Sequence, residues 1–168
     1  MLPWLIGGVV IIVMIGIGVL FGGAPFVPTR RAWIAEALTL SGLGQDDVIV
    51  DLGSGNGVVL EAALDRGARR AIGYEINPLL ALWSRLRLRR FGRRLVIRTT
   101  DFFRTDLPPD TTIIYMFQTG GVMRRIKPYL LEQKSKLHRS TIKVVCFGFT
   151  IPGLETQREL NGMTLYEF

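Results

Sequence analysis

Three acidic side chains, Asp51, Glu75 and Asp101, each stand where a run of strand-type residues ends, and glycine fills alternate positions just after the first of them, at Gly53, Gly55 and Gly57. The run Val48-Ile49-Val50-Asp51-Leu52 must stop abruptly, because the backbone beyond it is nearly bare and can turn in ways other residues avoid. Val58 to Leu64 then has helical character, so the unit reads as strand, glycine loop, helix. The free N–H groups of such a helix start, beside a backbone without side chains, admit a polar ligand at close range. Carboxylates at strand ends accept from its hydroxyls and amines. Glu75, 24 residues beyond Asp51, suits both hydroxyls of a ribose, and Asp101 suits the amino group of a base. This is the chemistry of a nucleotide-type cofactor site.

Spacing discriminates among such cofactors. A dinucleotide fingerprint asks for a third glycine or alanine where this chain has Val58, and Gly57 falls one place early. A phosphate P-loop asks for a Gly-Lys-Ser/Thr that the chain does not contain. Phe102 or Phe103, next to Asp101, could cover a base, a stacking worth roughly 1 kcal/mol; both could equally be core.

These residues need a scaffold. Thr29 is a candidate N-cap for a helix over residues 30–41, with Trp33, Ile34, Ala37 and Leu38 at helical spacing. Strands are expected over 48–52, 71–75, 95–99, 111–117 and 142–149, with helices between them. The pattern is α/β, a parallel sheet covered on both faces. The helix opened by Pro78 takes Leu79, Leu80, Leu82, Trp83 and Leu86 as its apolar face, and Arg85, Arg87, Arg89, Arg90, Arg93 and Arg94 follow. That basic run reads as a solvated face or as a contact for anionic lipid; with Phe91 its only interleaved aromatic, nucleic acid is disfavoured. A helix over 122–137 is expected to break at Pro128. Leu160-Asn161-Gly162-Met163 is a hairpin turn, so the chain should end in two antiparallel strands. With a single cysteine, Cys146, there is neither a disulfide framework nor a Cys/His metal cluster.

The 168 residues are 48% hydrophobic and 21% charged, with a mean hydropathy of +0.30, which suggests one domain plus a segment that belongs in lipid. Residues 2–21 carry no charge and, as a helix, would reach roughly 30 Å, the thickness of a bilayer core. The reading is a transmembrane anchor over 1–24 and a domain over 25–168. The competing reading, a signal peptide, lacks a basic first region and would place Pro25 after the cleavage site. Arg30 and Arg31 follow the span and no basic residue precedes it, so the domain should face the cytoplasm as part of a single-pass membrane protein. The net charge of +7 then belongs wholly to the domain.

Phe26-Val27-Pro28-Thr29, Val50 to Gly57, Gly73-Tyr74-Glu75-Ile76-Asn77-Pro78, Ser84-Arg85, Asp101-Phe102-Phe103 and Ile151-Pro152-Gly153 together resemble the membrane-anchored class I S-adenosylmethionine-dependent methyltransferases. That family includes the mitochondrial lysine methyltransferases of the ATP synthase c-subunit and of the adenine nucleotide translocase. The likeness covers nearly the whole chain. It implies a seven-stranded Rossmann-like sheet, order 3-2-1-4-5-7-6, with helices on both faces. It also implies S-adenosyl-L-methionine as cofactor, held by Thr29, Asp51, Gly53, Ser54, Gly55 and Gly57, then by Glu75, Asn77, Asp101 and Phe102. The expected function is N-methylation of a lysine on a membrane protein, and Tyr115, Gln118 or Thr119, read as lying after the fourth strand, could orient the neutral amine. Phe117-Gln118-Thr119-Gly120-Gly121 stands where methyltransferases of amide or exocyclic nitrogens carry Asn/Asp-Pro-Pro-Tyr, which disfavours that chemistry. Asn56 and Val58 depart from the Asp and Arg usual in the family. Two other classes stay open: a lipid, quinone or other small-molecule methyltransferase, and a non-catalytic cofactor-binding membrane module. With no Arg/Ser-rich presequence, a prokaryotic source is expected.

Overall fold

The computed structural model describes residues 31–138 and 140–168. In chain order the elements are α1 (Arg31–Leu40), β1 (Val48–Leu52), α2 (Val58–Asp65), β2 (Arg70–Glu75), α3 (Pro78–Arg87), β3 (Leu95–Thr99), β4 (Ile113–Met116), α4 (Gly120–Lys136), β5 (Lys143–Phe147), β6 (Arg158–Leu160) and β7 (Met163–Glu167). The strands form one sheet in the order β3-β2-β1-β4-β5-β7-β6. β1 to β5 run parallel, β7 is antiparallel to β5, and β6 is antiparallel to β7. β1 is buried at every position, as a central strand covered on both faces must be. The turn between β6 and β7 puts both Asn161 (φ 49°) and Gly162 (φ 78°) in the left-handed region, which is why this pair joins the two strands so tightly. The expected sheet and strand order are both present.

Alternation along the strands divides the core in two. On one face Ile34, Ala37 and Leu38 of α1, Leu60 and Ala63 of α2 and Ala81 of α3 pack on Ile49, Ala71 and Ile113. On the other, Met123, Ile126, Tyr129 and Leu130 of α4 pack on Val50, Ile72, Ile114 and Val144.

Three expectations are corrected. α4 runs unbroken through Pro128. A mid-helix proline costs about 3 kcal/mol, but Pro128 and Arg124 are exposed, so water can serve the released carbonyl while Ile126, Tyr129 and Leu130 hold the helix to the sheet. β4 is shorter than expected, since Thr111 belongs to the preceding turn, its hydroxyl donating to Pro108 O at 2.6 Å. The apolar face of α3 splits: Leu80, Ala81 and Ser84 are buried, whereas Leu79, Leu82, Trp83 and Leu86 are exposed.

No helix among the described residues is long and apolar enough to cross a membrane. The expected anchor over 1–24, and Thr29 with it, lie outside the described residues.

Candidate active site

β1 ends because Gly53 takes φ 100° and Gly55 φ 53°, backbone angles that a Cβ resists. The turn is fastened to β2: Gly53 N and Ser54 N both donate to Tyr74 O, at 2.9 and 3.0 Å. Gly57 precedes α2 in the left-handed region, and no side chain caps that helix, so its first N–H groups remain directed at the loop.

Glu75 closes the arrangement. Its carboxylate accepts from Gly55 N at 2.7 Å and from Asn77 N at 2.8 Å. Asn77 caps α3, its Oδ1 accepting from Leu79 N at 3.0 Å and Leu80 N at 3.4 Å. One short segment thereby fixes the acid, the glycine loop and a helix start relative to one another. The Ile76 N–H acts on the Glu75 carboxylate as well, so three of its roughly four lone-pair positions are engaged and one is left for a hydroxyl of a ligand. Burial pushes the Glu75 carboxyl above its usual range, against the opposing effect of the Asn77 and Gly55 N–H groups.

Asp51 has no such donors. It is 3% exposed, and no described residue donates a hydrogen bond to it. Burial first, and the charge of Glu75 second, push its carboxyl up to about 8. A carboxyl so placed, with no donor of its own, is open to a ligand that brings an amine or a cation to it. The two acids and the bare loop therefore fit S-adenosylmethionine, which carries ribose hydroxyls, an ammonium and a sulfonium.

Other expected residues fall into different places. Ser54 is buried with its hydroxyl turned onto Gly73, where an added Cβ would lie 2.5 Å away, and that hydroxyl has no partner. The loop thus meets a ligand through backbone. Asp101 caps the 3-10 turn Phe102–Arg104, with Oδ1 accepting from Phe103 N at 3.0 Å. Phe102, expected to cover a base, is a core residue, because that turn sets its ring 5.7 Å from Tyr129 on the α4 face. Phe103 is covered by the Arg125 guanidinium, 4.4 Å from the ring centroid.

Across the sheet, Gln118 follows β4 and is 8% exposed. Its Nε2 donates to Leu52 O, so the amide lies against Gly53, where any side chain would collide with it. Its Oε1 accepts no hydrogen bond from a described residue. Thr119 stands at the start of α4 without its side chain capping the helix. Tyr115 lies inside β4, 3% exposed, in register with Asp51 and within the α1–α2 core; it does not stand after the strand.

Arg87 is the residue that sequence patterning missed. Read as part of a solvated face, it instead donates to Asn56 O at 2.8 Å and to Glu61 at 2.5 Å, clamping the glycine loop to α2. Arg85 and Arg94 also turn inward, onto Ile97 O and Ala68 O, and nothing in a run of six arginines marks which of them meets the loop.

The chain matches the ANTKMT methyltransferase domain family over residues 51–158. A protein-lysine N-methyltransferase of Saccharolobus islandicus (strain REY15A) is 31% identical over 132 residues, 77% of this chain and 79% of that protein. The human lysine N-methyltransferase of the ATP synthase c-subunit is 30% identical over 131 residues, 76% of this chain and 53% of that protein. An RNA methyltransferase from Salinibacter ruber, solved with S-adenosyl-L-homocysteine, superposes with a TM-score of 0.74 at 29% identity, over 84% of this chain and 92% of that one. Because the matched span contains the loop and all three strand-end acids, and because the fold is shared, this chain belongs to the ANTKMT methyltransferase domain family and is an S-adenosylmethionine-dependent methyltransferase.

Proposed function

We propose that the acceptor is a lysine side chain of a membrane protein, methylated at the cytoplasmic membrane face by an enzyme that residues 1–24 anchor in the bilayer. The observation that carries the lysine is the Saccharolobus relative, named a protein-lysine N-methyltransferase and matched over most of both chains. The human relative is named for a lysine of the ATP synthase, and this chain spans about half of that protein. The uncharged stretch over residues 2–21 and the arginines that follow it support the anchor and its orientation.

When bound, S-adenosylmethionine would supply a methyl carbon on a sulfonium, to which the amine lone pair would bond as the C–S pair passes to sulfur, the nitrogen then shedding a proton. Asp51, Glu75 and the backbone of Gly53, Gly55 and Gly57 would hold that group at the ends of β1 and β2. Holding the reactants in line can supply several kcal/mol of the barrier. The lysine must first be neutral, and here the amide at Gln118 matters. With Nε2 held on Leu52 O, Oε1 is left to accept from the amine. A neutral carbonyl binds N–H without the charge that would stabilise an ammonium, as a carboxylate would. The Thr119 hydroxyl offers a second acceptor at the start of α4.

The test is to incubate the full-length enzyme with radiolabelled S-adenosylmethionine and membranes of its source, then separate protein, lipid extract and RNA. Label is expected in protein, released as methyl-lysine on hydrolysis. Label in the lipid extract would transfer the assignment to a lipid amine or quinone, and label in RNA would overturn the lysine reading.

A further inference from the structure

α3 turns an apolar stripe outward. Leu79, Leu82, Trp83 and Leu86 are 41, 50, 53 and 57% exposed, and they are four of the seven large exposed hydrophobic residues among the described residues. At about 100° per residue, these four share one side of the helix, and the buried Leu80, Ala81 and Ser84 share the opposite side. Single exposed leucines need no explanation, but a contiguous patch does. Cations frame it. Arg85 and Arg87 fall at the two borders between stripe and core, and Arg89 and Arg93 follow the stripe, exposed and without an ion-pair partner among the described residues. From Pro78 to Arg98 the chain carries seven arginines and no acidic residue.

We propose that α3 is a bilayer-docking surface: its stripe enters the boundary between headgroups and acyl chains of an anionic leaflet while Arg89 and Arg93, just beyond the helix, pair with lipid phosphates. Charge selects this occupant. Arg87 and Arg90 are answered by Glu61 and Asp65, and Arg85 and Arg94 by backbone carbonyls, but a second copy of the chain, joined through the same face, would set the unpaired Arg89 and Arg93 against their own counterparts. Residues 2–21 could cover leucines but contain no acid to answer the arginines. An anionic bilayer answers both parts of the surface. Asn77 caps α3 while its backbone N–H holds Glu75, so the stripe begins within a turn of the cofactor carboxylate. Docking by α3 therefore lays the open edge of the sheet beside the membrane, where an acceptor near the bilayer surface would meet it. The inference rests on the membrane location proposed above and is independent of which acceptor is methylated.

The experiment uses the full chain in nanodiscs, either of phosphatidylcholine alone or with added phosphatidylglycerol. Leu86→Cys carries an environment-sensitive fluorophore, and Leu131→Cys, a comparably exposed leucine on α4, serves as the control; Leu82→Cys is a second probe should the first variant fold poorly. The native thiol does not interfere, because Cys146 is buried. Binding of S-adenosylhomocysteine verifies the fold of each variant, so a failed fold or a failed cofactor assignment is seen separately. In discs with phosphatidylglycerol, lipids spin-labelled near the headgroup should quench the probe at 86 about twofold or more beyond the probe at 131, and high salt should reduce the difference, since the arginine contribution is screened. Equal quenching at 86 and 131 would overturn the proposal. So would a blue-shifted probe at 86 that the lipids fail to quench, because protein would then cover the stripe.

Discussion

The half of the sheet made by β1, β2 and β3 and the half made by β4 to β7 reach the same open edge with different equipment. In the first half the backbone itself is the binding surface. Glycines in the left-handed region are tied to Tyr74 O and Glu75, Arg87 clamps the loop from outside, and the Asp51 carboxyl alone lacks a donor. In the second half the edge is formed by side chains on short exits, Gln118, Thr119 and the half-exposed Phe149, with Gln118 reaching across to Leu52 O. Backbone surfaces tolerate almost no substitution, since any Cβ fills the space. Side-chain surfaces can be exchanged without disturbing the strands beneath. A methyl donor common to many enzymes suits the first kind of surface, and an acceptor that differs among them suits the second.

Substitutions that strike one half only would break or sharpen this division. The largest effect is expected at the loop. Gly55→Val needs φ near 53° from a β-branched residue, a strain that would displace the Gly55 N–H from the Glu75 carboxylate. Calorimetry should find no S-adenosylhomocysteine binding while circular dichroism still reports a folded sheet; unchanged affinity would make the loop a mere turn. Glu75→Ala should weaken the same binding roughly ten- to a hundredfold, about 1–3 kcal/mol, through the lost ribose bonds and a loosened Gly55.

In the other half, Gln118→Leu keeps the volume and removes the acceptor. Turnover on the protein acceptor should fall about tenfold, the usual scale for one positioning hydrogen bond, while the affinity for S-adenosylhomocysteine changes little. A parallel loss of both would mean that Gln118 serves the cofactor loop through Leu52 and Gly53 rather than the amine.

The same division decides what could be read from the sequence. β1, β3, the helix after the loop and the hairpin at Asn161-Gly162 were legible because each rests on local rules: period, a bare backbone, a turn that only certain residues can make. The roles of Asp51 and Glu75 were legible as acceptors at strand ends. What was not legible depended on which way a side chain turns. Five apolar residues after Pro78 looked like one buried face, yet the sheet covers only the side of Leu80, Ala81 and Ser84. Phe102 and Phe103 were indistinguishable until a three-residue turn placed one in the core. Arg87 shares Glu61 with Arg90 and differs from its neighbours by facing Asn56 O in the loop. Pro128 signalled a break that exposure to water made unnecessary.

The smallest expected effect on binding is a pH dependence confined to the first half. The carboxyl of Asp51 moves from an ordinary 3.8 to about 8 on folding, so between those values the folded protein holds a proton that the unfolded chain has released. The ligand-free fold should therefore lose stability as pH rises from about 4 to 8 and level off above. Cofactor binding has the opposite slope. If an ammonium or sulfonium docks beside an ionised Asp51, binding below pH 8 must expel that proton, and affinity should rise about fivefold from pH 7 to 8 and less than twofold from 8 to 9. Calorimetry in two buffers of different ionisation enthalpy would count the released proton directly. Asp51→Asn should flatten the curve, apart from whatever slope the ligand's own amine contributes, and should release no proton from the protein. Wild-type affinity that is level across this range, with no proton released, would mean that Asp51 stays protonated in the complex and offers the cofactor a neutral hydrogen bond rather than a charge.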